Sequence, residues 1–206
     1  MSSFVMSTGS IAVVKPSNRS LERASFAWGN VAKRAPPFDV RIVVGSREQN
    51  LKENPEAREG FGCAIEYCGG KEQLLDVTLE AAEWMRQEFQ TRLSETNQKK
   101  DLELRLALIR RTQCPKLHFD KVPLRALATL VGPSTMWAQE ETVDWVKFND
   151  LQKLDFPMEH LEYESVVAPK GLTATPDFHA LFLSPPAMHR SPHTSDTRVL
   201  LQCDLR

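Results

Sequence analysis

The sequence predicts an α+β protein in which one long helix precedes a set of short strands. Apolar residues recur every three or four positions from about residue 71 to about residue 96, as in an amphipathic helix. After residue 101, short apolar runs alternate with turn residues, which is typical of an antiparallel sandwich or barrel. We expect a single domain over 1–206, with a mixed and helical part at 1–100 and a β-rich core at 101–206.

The first hundred residues contain two predicted elements. Val40–Val44 is a β-branched run that ends at Gly45-Ser46, so it predicts a strand. Residues 48–62 are charged and are expected to form a loop, after which Gly69-Gly70 precedes the long helix. Residues 1–21 are rich in Ser and contain no acidic residue. We expect a mobile N-terminus on a cytoplasmic protein, with import into an organelle as the alternative.

The second half contains the predicted strands. Residues 102–110 fit either a strand or the end of a helix. Further strands are predicted at 117–122, 124–131, 143–148, 163–168, 178–183 and 199–203. Gly132-Pro133-Ser134 is a predicted turn, and residues 184–195 form a predicted loop that carries candidate functional residues.

Composition excludes some classes of partner. The 26 basic and 27 acidic residues give a net charge of -1, so nothing in the charge balance attracts nucleic acid. No apolar run approaches the roughly 18 residues that a membrane-spanning helix needs. The four cysteines have no zinc-finger spacing and are expected to be ordinary reduced thiols.

The tripeptide His118-Phe119-Asp120 is the first candidate for chemistry. Side chains two residues apart on a strand point to the same face, so the imidazole and the carboxylate can approach one metal ion. His189, or alternatively His193, can complete a set of two histidines and one carboxylate, the facial triad of non-haem Fe(II) oxygenases. The alternative is structural, with His118 packed under a strand and Asp120 capping a turn.

Arg198 lies nine residues after His189, at the start of the last apolar run. A guanidinium binds a carboxylate through two parallel hydrogen bonds, so Arg198 is a candidate for binding a carboxylate ligand beside the metal. The alternative is a surface arginine paired with Asp196 or Asp204. Arg125 is a second candidate for the cofactor pocket if its strand adjoins His118.

Four segments carry a family resemblance, and they occur in the same order as the family's motifs. They are Cys-Pro-x-x-His-x-Asp at 114–120, Gly-Pro-x-Thr-x-Trp at 132–137, His-Arg-Ser-Pro at 189–192 and an Arg-to-Asp run at 198–204. They resemble domain-of-unknown-function family 1826 (DUF1826) from about Leu102 onward, although Ser134 replaces a family glycine. The His-x-Asp, His and Arg pattern also resembles that of jelly-roll Fe(II)/2-oxoglutarate oxygenases, which implies a cupin-like double-stranded β-helix.

The resemblance implies a metal-site architecture, because DUF1826 has no established biochemical function. Our leading hypothesis is an Fe(II)/2-oxoglutarate-dependent oxygenase that acts on an unidentified small molecule or protein. Its metal would be held by His118, Asp120 and His189, and its keto acid by Arg198 with Arg125 nearby. One alternative is a non-catalytic zinc protein that adds the Cys114 thiolate, a residue that could equally be small and buried. The other is a degenerate scaffold for protein interaction.

Overall fold

A computed structural model of the chain describes residues 3–8, 10–45, 50–93, 100–152 and 160–206. Within these ranges the strands are β1 Ser3–Thr8, β2 Ile11–Lys15, β3 Phe38–Val44, β4 Leu102–Ile109, β5 Arg125–Val131, β6 Met136–Trp137, β7 Thr173–Ala174, β8 Ala180–Leu183, β9 His189–Arg190 and β10 Arg198–Leu205. The α-helices are α1 Ser20–Val31, α2 Pro55–Tyr67, α3 Glu72–Gln90, α4 Trp145–Gln152 and α5 His160–Val167.

Two antiparallel sheets organise the protein, which confirms the α+β prediction. The large sheet has seven strands in the order β1-β2-β8-β5-β10-β4-β3, and the small sheet has three in the order β7-β6-β9. The large sheet combines three strands from residues 1–100 with four from residues 101–206. The division at residue 100 therefore crosses a continuous sheet, and the single domain over 1–206 with its two parts stays a prediction.

Alternation along the strands gives the large sheet two different faces. One face packs against the helices, and β10 contributes to it Val199, Leu201, Cys203 and Leu205. The opposite face of the same strand carries Arg198, Leu200, Gln202 and Asp204. Trp137 of β6 packs on this second face with the apolar residues of β2, β5 and β8. The small sheet thus lies over the face that carries the charged side chains.

The helical layer is held by apolar burial and by a few buried polar contacts. The Trp28 indole donates to Thr78 Oγ1 at 3.0 Å and joins α1 to α3. Glu83 of α3 accepts hydrogen bonds from Arg86 and from the Leu51 backbone, with oxygen–nitrogen distances of 2.7–3.1 Å. These contacts satisfy polar groups that would otherwise be costly to bury.

Several local predictions were wrong, and packing explains each difference. Residues 48–62 contain no continuous loop, because Asn54 caps α2 by accepting from Ala57 N at 2.8 Å. The predicted strands at 143–148 and 163–168 lie largely in α4 and α5, where Phe148, Tyr163 and Val167 face one shared apolar cluster. The predicted mobile N-terminus instead forms β1 and β2, and β2 pairs with β8.

The remaining strand predictions have mixed outcomes. Strands over most of 40–44, 102–110, 124–131 and 199–203 are confirmed by β3, β4, β5 and β10, and β8 covers only the end of 178–183. The predicted strand at 117–122 is wrong, since only His118 makes an isolated bridge there. The long helix is confirmed as α3 but ends at Gln90, and residues 94–96 lie outside the described ranges. None of the described helices is long and apolar enough to cross a membrane.

Candidate metal centre

The structure brings His118, Asp120 and His189 together on the polar side of the large sheet. His118 and His189 exchange two backbone hydrogen bonds, of 3.0 Å and 2.8 Å, so the bridge fixes one histidine opposite the other. Their ring centroids are 4.6 Å apart. Asp120 Oδ2 lies 3.1 Å from His189 Nε2, and Asp120 Oδ1 lies 3.9 Å from His118 Nε2. One ligand atom from each residue lies within 4.8 Å of the other two, a spacing that one metal ion can span.

Backbone contacts set the tautomers of both histidines. Nδ1 of His118 lies 2.8 Å from the Lys116 carbonyl, and Nδ1 of His189 lies 3.1 Å from the Ala187 carbonyl. Because a carbonyl only accepts hydrogen bonds, each Nδ1 carries the proton and each Nε2 of a neutral ring has a lone pair. Two lone pairs that face each other, as between His189 Nε2 and Asp120 Oδ2, repel unless a proton or a cation lies between them. A bound cation fits this arrangement.

The electrostatic state of the cluster also suits a metal. Burial, followed by the nearby charge of His189, lowers the pKa of His118 below 6.5, so its imidazole is neutral at pH 7. Burial alone would raise the pKa of Asp120, but contacts with His189 and Arg125 hold it below 3.8. Asp120 Oδ2 is buried and accepts no hydrogen bond of normal geometry within the described chain. A neutral His118 imidazole and the Asp120 carboxylate are therefore ready for a divalent cation.

Arg125 is held between two carboxylates. Its Nε and Nη2 donate to the two oxygens of Asp204 at 2.7 Å and 2.6 Å. Its Nη1 lies 2.8 Å from Asp120 Oδ2. Burial would lower the pKa of Arg125, yet Asp204 and Asp120 raise it above its usual value. Arg125 lines the same cavity as the two histidines, but its polar edges face protein carboxylates.

Arg198 is a buried cation with little compensation. Its side chain is almost fully buried, at 1% exposure, and Nε donates to the Pro133 carbonyl at 2.7 Å. Neither Nη1 nor Nη2 has a hydrogen-bond partner among the described residues. Burial lowers the pKa of Arg198 to about 10, so the guanidinium stays charged at neutral pH. A buried, charged fork with two unused donor atoms fits a carboxylate ligand.

The Gly132-Pro133 turn explains how Arg198 is held. Gly132 has φ +82°, and a Cβ there would lie 2.4 Å from the Thr197 carbonyl oxygen and 3.1 Å from Arg198 Cγ. Only glycine can adopt this backbone conformation so close to β10 without strain. Ser134, where the family motif has a second glycine, donates its hydroxyl to the Thr175 carbonyl at 2.6 Å. The Gly132-Pro133 turn therefore packs closely against β10 and holds the Arg198 side chain in place.

The histidines and both arginines line one small cavity. Its volume is about 60 Å³, and Thr135, Arg105 and Gln202 contribute to its wall. This space matches about two water molecules at roughly 30 Å³ each, so an organic acid enters only if side chains move. A much larger open cleft of about 910 Å³ lies between α1 and the start of α3. It contains none of the candidate metal ligands, so we place the chemistry in the smaller cavity.

Other candidate residues lie apart from the cluster. Cys114 is exposed, so the burial expected for it is wrong; it borders the cavity, but its sulfur is not among the clustered ligand atoms. His193 is exposed and also outside the cluster. His179 is half-buried near the Asp177 carbonyl, as expected of a structural residue, and the side chain of His160 lies outside the described part of the chain.

Sequence reasoning missed the polar residues that surround the cluster. Gln202 and Asp204 lie four and six residues after Arg198 along β10, so the two-residue period of a strand places all three on one face. That spacing was readable in the sequence, but the identity of their partners on β4 and β5 was not. Asp204, considered at first as a partner of Arg198, pairs with Arg125 instead.

Several solved structures are similar to this protein, and one of them has a TM-score above 0.5. The structure of an auxin dioxygenase from Arabidopsis thaliana in complex with 2-oxoglutarate has a TM-score of 0.52 and 9% identity, covering 96% of this chain and 83% of that one, which shows a similar fold. Iron-bound HygX from Streptomyces hygroscopicus has a TM-score of 0.42 and 14% identity, covering 96% and 82%. A Pseudomonas putida prolyl-4-hydroxylase has a TM-score of 0.40 and 12% identity, covering 96% and 92%.

The sequence comparisons give one clear result. No curated protein sequence matches this chain significantly. The profile of the protein family of unknown function DUF1826 matches residues 87–204, which is more than half of the chain. That range contains the three clustered ligands, both cavity arginines and the Gly132-Pro133 turn. The chain therefore belongs to the DUF1826 family.

Proposed function

We propose that this protein is a non-haem Fe(II)/2-oxoglutarate-dependent oxygenase, with its two sheets wound as a double-stranded β-helix. Its substrate is a small molecule or a protein that remains to be identified. One observation carries the proposal: Arg198 presents two buried donors, without a hydrogen-bond partner among the described residues, to the cavity that is also lined by His118 and His189, two of the three clustered ligands. A metal site alone would not need a buried uncompensated cation, whereas a site for a metal and an anionic co-substrate would.

Different residues would bind the metal ion and the keto acid. His118, His189 and Asp120 would hold one face of an Fe(II) ion and leave three positions open. With iron, 2-oxoglutarate and O2, such a centre inserts one oxygen atom into a substrate C–H bond and places the other in succinate, with release of CO2. Arg198 would bind the far carboxylate of the keto acid through both Nη atoms, and burial of that pair would exclude water.

A zinc-binding role is the second candidate, because two histidines and a carboxylate also suit Zn²⁺. Its supporting observation is that Cys114 borders the same cavity with an exposed thiol. A zinc site that recruits Cys114 requires that loop to move, since the sulfur lies outside the cluster. This candidate gives no role to the unpartnered donors of Arg198, and neither does an interaction scaffold. The oxygenase hypothesis uses both features.

The test measures binding and turnover separately. Metal-free protein is titrated with Mn²⁺ and then with 2-oxoglutarate by calorimetry, and succinate formation is followed with Fe(II), ascorbate and O2. We expect one metal per chain, metal-dependent binding of 2-oxoglutarate and slow succinate formation even without a substrate. His118→Ala should abolish metal binding, while Arg198→Met should retain the metal and lose the keto acid. Unchanged metal stoichiometry in His118→Ala, or tight zinc with no keto-acid binding, would contradict the proposal.

A further inference from the structure

We infer that Arg125 is a positioning residue that holds the Asp120 carboxylate in its metal-binding orientation, and that Asp204 in turn orients Arg125. The inference rests on the proposed metal site and assigns a role to two residues that would not touch the metal. The backbone holds two of the metal ligands, His189 and Asp120, to different degrees. His189 lies on β9, whereas Asp120 belongs to no strand or helix. The backbone alone therefore leaves the Asp120 side chain weakly fixed.

Arg125 supplies the missing constraint. It is the first residue of β5 and lies directly opposite Asp204 of β10 in the strand register. Two parallel hydrogen bonds to both Asp204 oxygens fix the plane of the guanidinium. The remaining nitrogen, Nη1, then lies 2.8 Å from Asp120 Oδ2 and forms an ion pair with it. The position of the Asp120 carboxylate thus follows from two central strands of the large sheet.

The support continues across the sheet. Gln202 donates to Asp204 Oδ2 at 2.7 Å and accepts from Arg105 Nη1 at 3.2 Å, so both ends of its amide are engaged. Arg105 also binds both oxygens of Asp39 on β3, at 2.7 Å and 2.6 Å. These contacts form a row of alternating charges from Asp39 to Asp120. Asp39 is the exposed end of the row and provides a matched control.

Charge explains why Arg125 needs Asp204. A lone guanidinium beside a divalent cation would repel it and weaken metal binding. Asp204 is 6% exposed and pairs with Arg125 through both oxygens, so the pair presents a hydrogen-bond donor without a net positive charge. Loss of Arg125 releases Asp120, and loss of the Asp204 charge leaves Arg125 uncompensated. Either change should weaken metal binding.

The experiment measures Co²⁺ affinity and the visible Co²⁺ spectrum of the full chain. Arg125→Met and Asp204→Asn should each lower the affinity by about 10–100-fold, the usual cost of removing the partner of a metal ligand. Their Co²⁺ spectra at saturation should change, because the carboxylate geometry changes. Asp39→Asn, at the far end of the same row, should stay within about threefold of wild type. The double variant should lose no more affinity than Arg125→Met, since Asp204 acts through Arg125.

Circular dichroism and thermal unfolding of the metal-free proteins separate this role from a structural one. If Arg125→Met does not fold, Arg125→Lys replaces it; a lysine contacts only one carboxylate well, so an intermediate affinity is expected. Wild-type affinity and an unchanged spectrum in a folded Arg125 variant and in Asp204→Asn would overturn the inference. Failure of wild type itself to bind metal would instead overturn the proposed function, so the two failures are distinguishable.

Discussion

Replacing Arg198 with methionine is expected to make the ligand-free protein more stable. Burial lowers the pKa of this guanidinium from its usual value to about 10. At 1.36 kcal/mol per pKa unit, keeping the charge in this place costs roughly 3 kcal/mol at any pH well below 10. Loss of the hydrogen bond to the Pro133 carbonyl removes about 1 kcal/mol of stabilisation, and the methionine retains the apolar stem. The net gain is about 2 kcal/mol in the free energy of unfolding.

Ligand binding should reverse this order. Metal and 2-oxoglutarate at 100 times the dissociation constant of the keto acid stabilise a binding-competent protein by about 2.7 kcal/mol. Wild type should gain that amount from the keto acid, and Arg198→Met should gain nothing beyond the effect of the metal. Arg198→Met is thus expected to be more stable than wild type without ligand, and to gain no stability from the keto acid. This is the behaviour expected if Arg198 serves ligand binding at a cost in stability.

Urea unfolding of metal-free protein, repeated with Mn²⁺ and 2-oxoglutarate, measures both effects. Arg190→Met is the matched control, because Arg190 is also buried beside the cavity but pairs with Glu164. Its removal leaves that carboxylate unpaired and should destabilise the protein. The reasoning is refuted if metal-free Arg198→Met is less stable than wild type by 1 kcal/mol or more with an unchanged m-value. That result would mean that the buried charge of Arg198 is already compensated in the wild-type protein.

Three further changes test other parts of the structure. Gly132→Ala should lower the affinity for 2-oxoglutarate at least tenfold in calorimetry and cost about 1–2 kcal/mol of stability. The reason is that the alanine Cβ would overlap the Thr197 carbonyl at a positive φ. Wild-type affinity would contradict the role of the turn. Burial raises the pKa of Glu83, but hydrogen bonds from Arg86 bring it below 4.5. The stabilisation by Glu83 is therefore present above pH 4.5 and lost as the pH falls through the lowered pKa. Glu83→Gln should be about 3 kcal/mol less stable than wild type at pH 7 in urea unfolding, and this difference should shrink as the pH falls below 4.5. Cys114→Ser should leave metal affinity unchanged, and a tenfold loss of Zn²⁺ affinity would favour the zinc alternative.

The sequence predicted the parts of the fold that local patterns encode. Short apolar runs identified β5 and β10, residues 102–110 fitted either a strand (now β4) or the end of a helix, and a period of three to four residues identified α3. The prediction failed where distant packing decides the structure. β2 belongs to the sheet because it pairs with β8, more than 150 residues away in the chain. α4 contains residues that favour strands, yet Phe148 packs with residues of other elements in a separate apolar cluster.

In the candidate site too, the sequence identified individual residues but not the contacts that the fold creates between them. The order of the motifs was enough to select His118, Asp120, His189 and Arg198, which line or border one cavity in the structure. The spacing did not reveal that Asp120 depends on a contact from β5. His118 was expected on a strand, but it makes only one bridge, and that bridge is to His189. The pairing of the two histidines is therefore a product of the fold rather than of the local segment.

Two arginines on neighbouring strands, the half-buried Arg125 and the buried Arg198, show why register decides function here. Arg125 lies opposite Asp204, which neutralises it and leaves one nitrogen for Asp120. Arg198 lies opposite Ile109, so no carboxylate compensates its charge from that strand. The same side chain is thus fixed to a protein anion in one case and left with two unused donors in the other. A sequence that shows only two arginines near strand ends cannot distinguish these cases. Burying the uncompensated charge of Arg198 is costly, so this residue is the stronger evidence for an anionic ligand. Arg125 instead indicates how the Asp120 carboxylate is held in position.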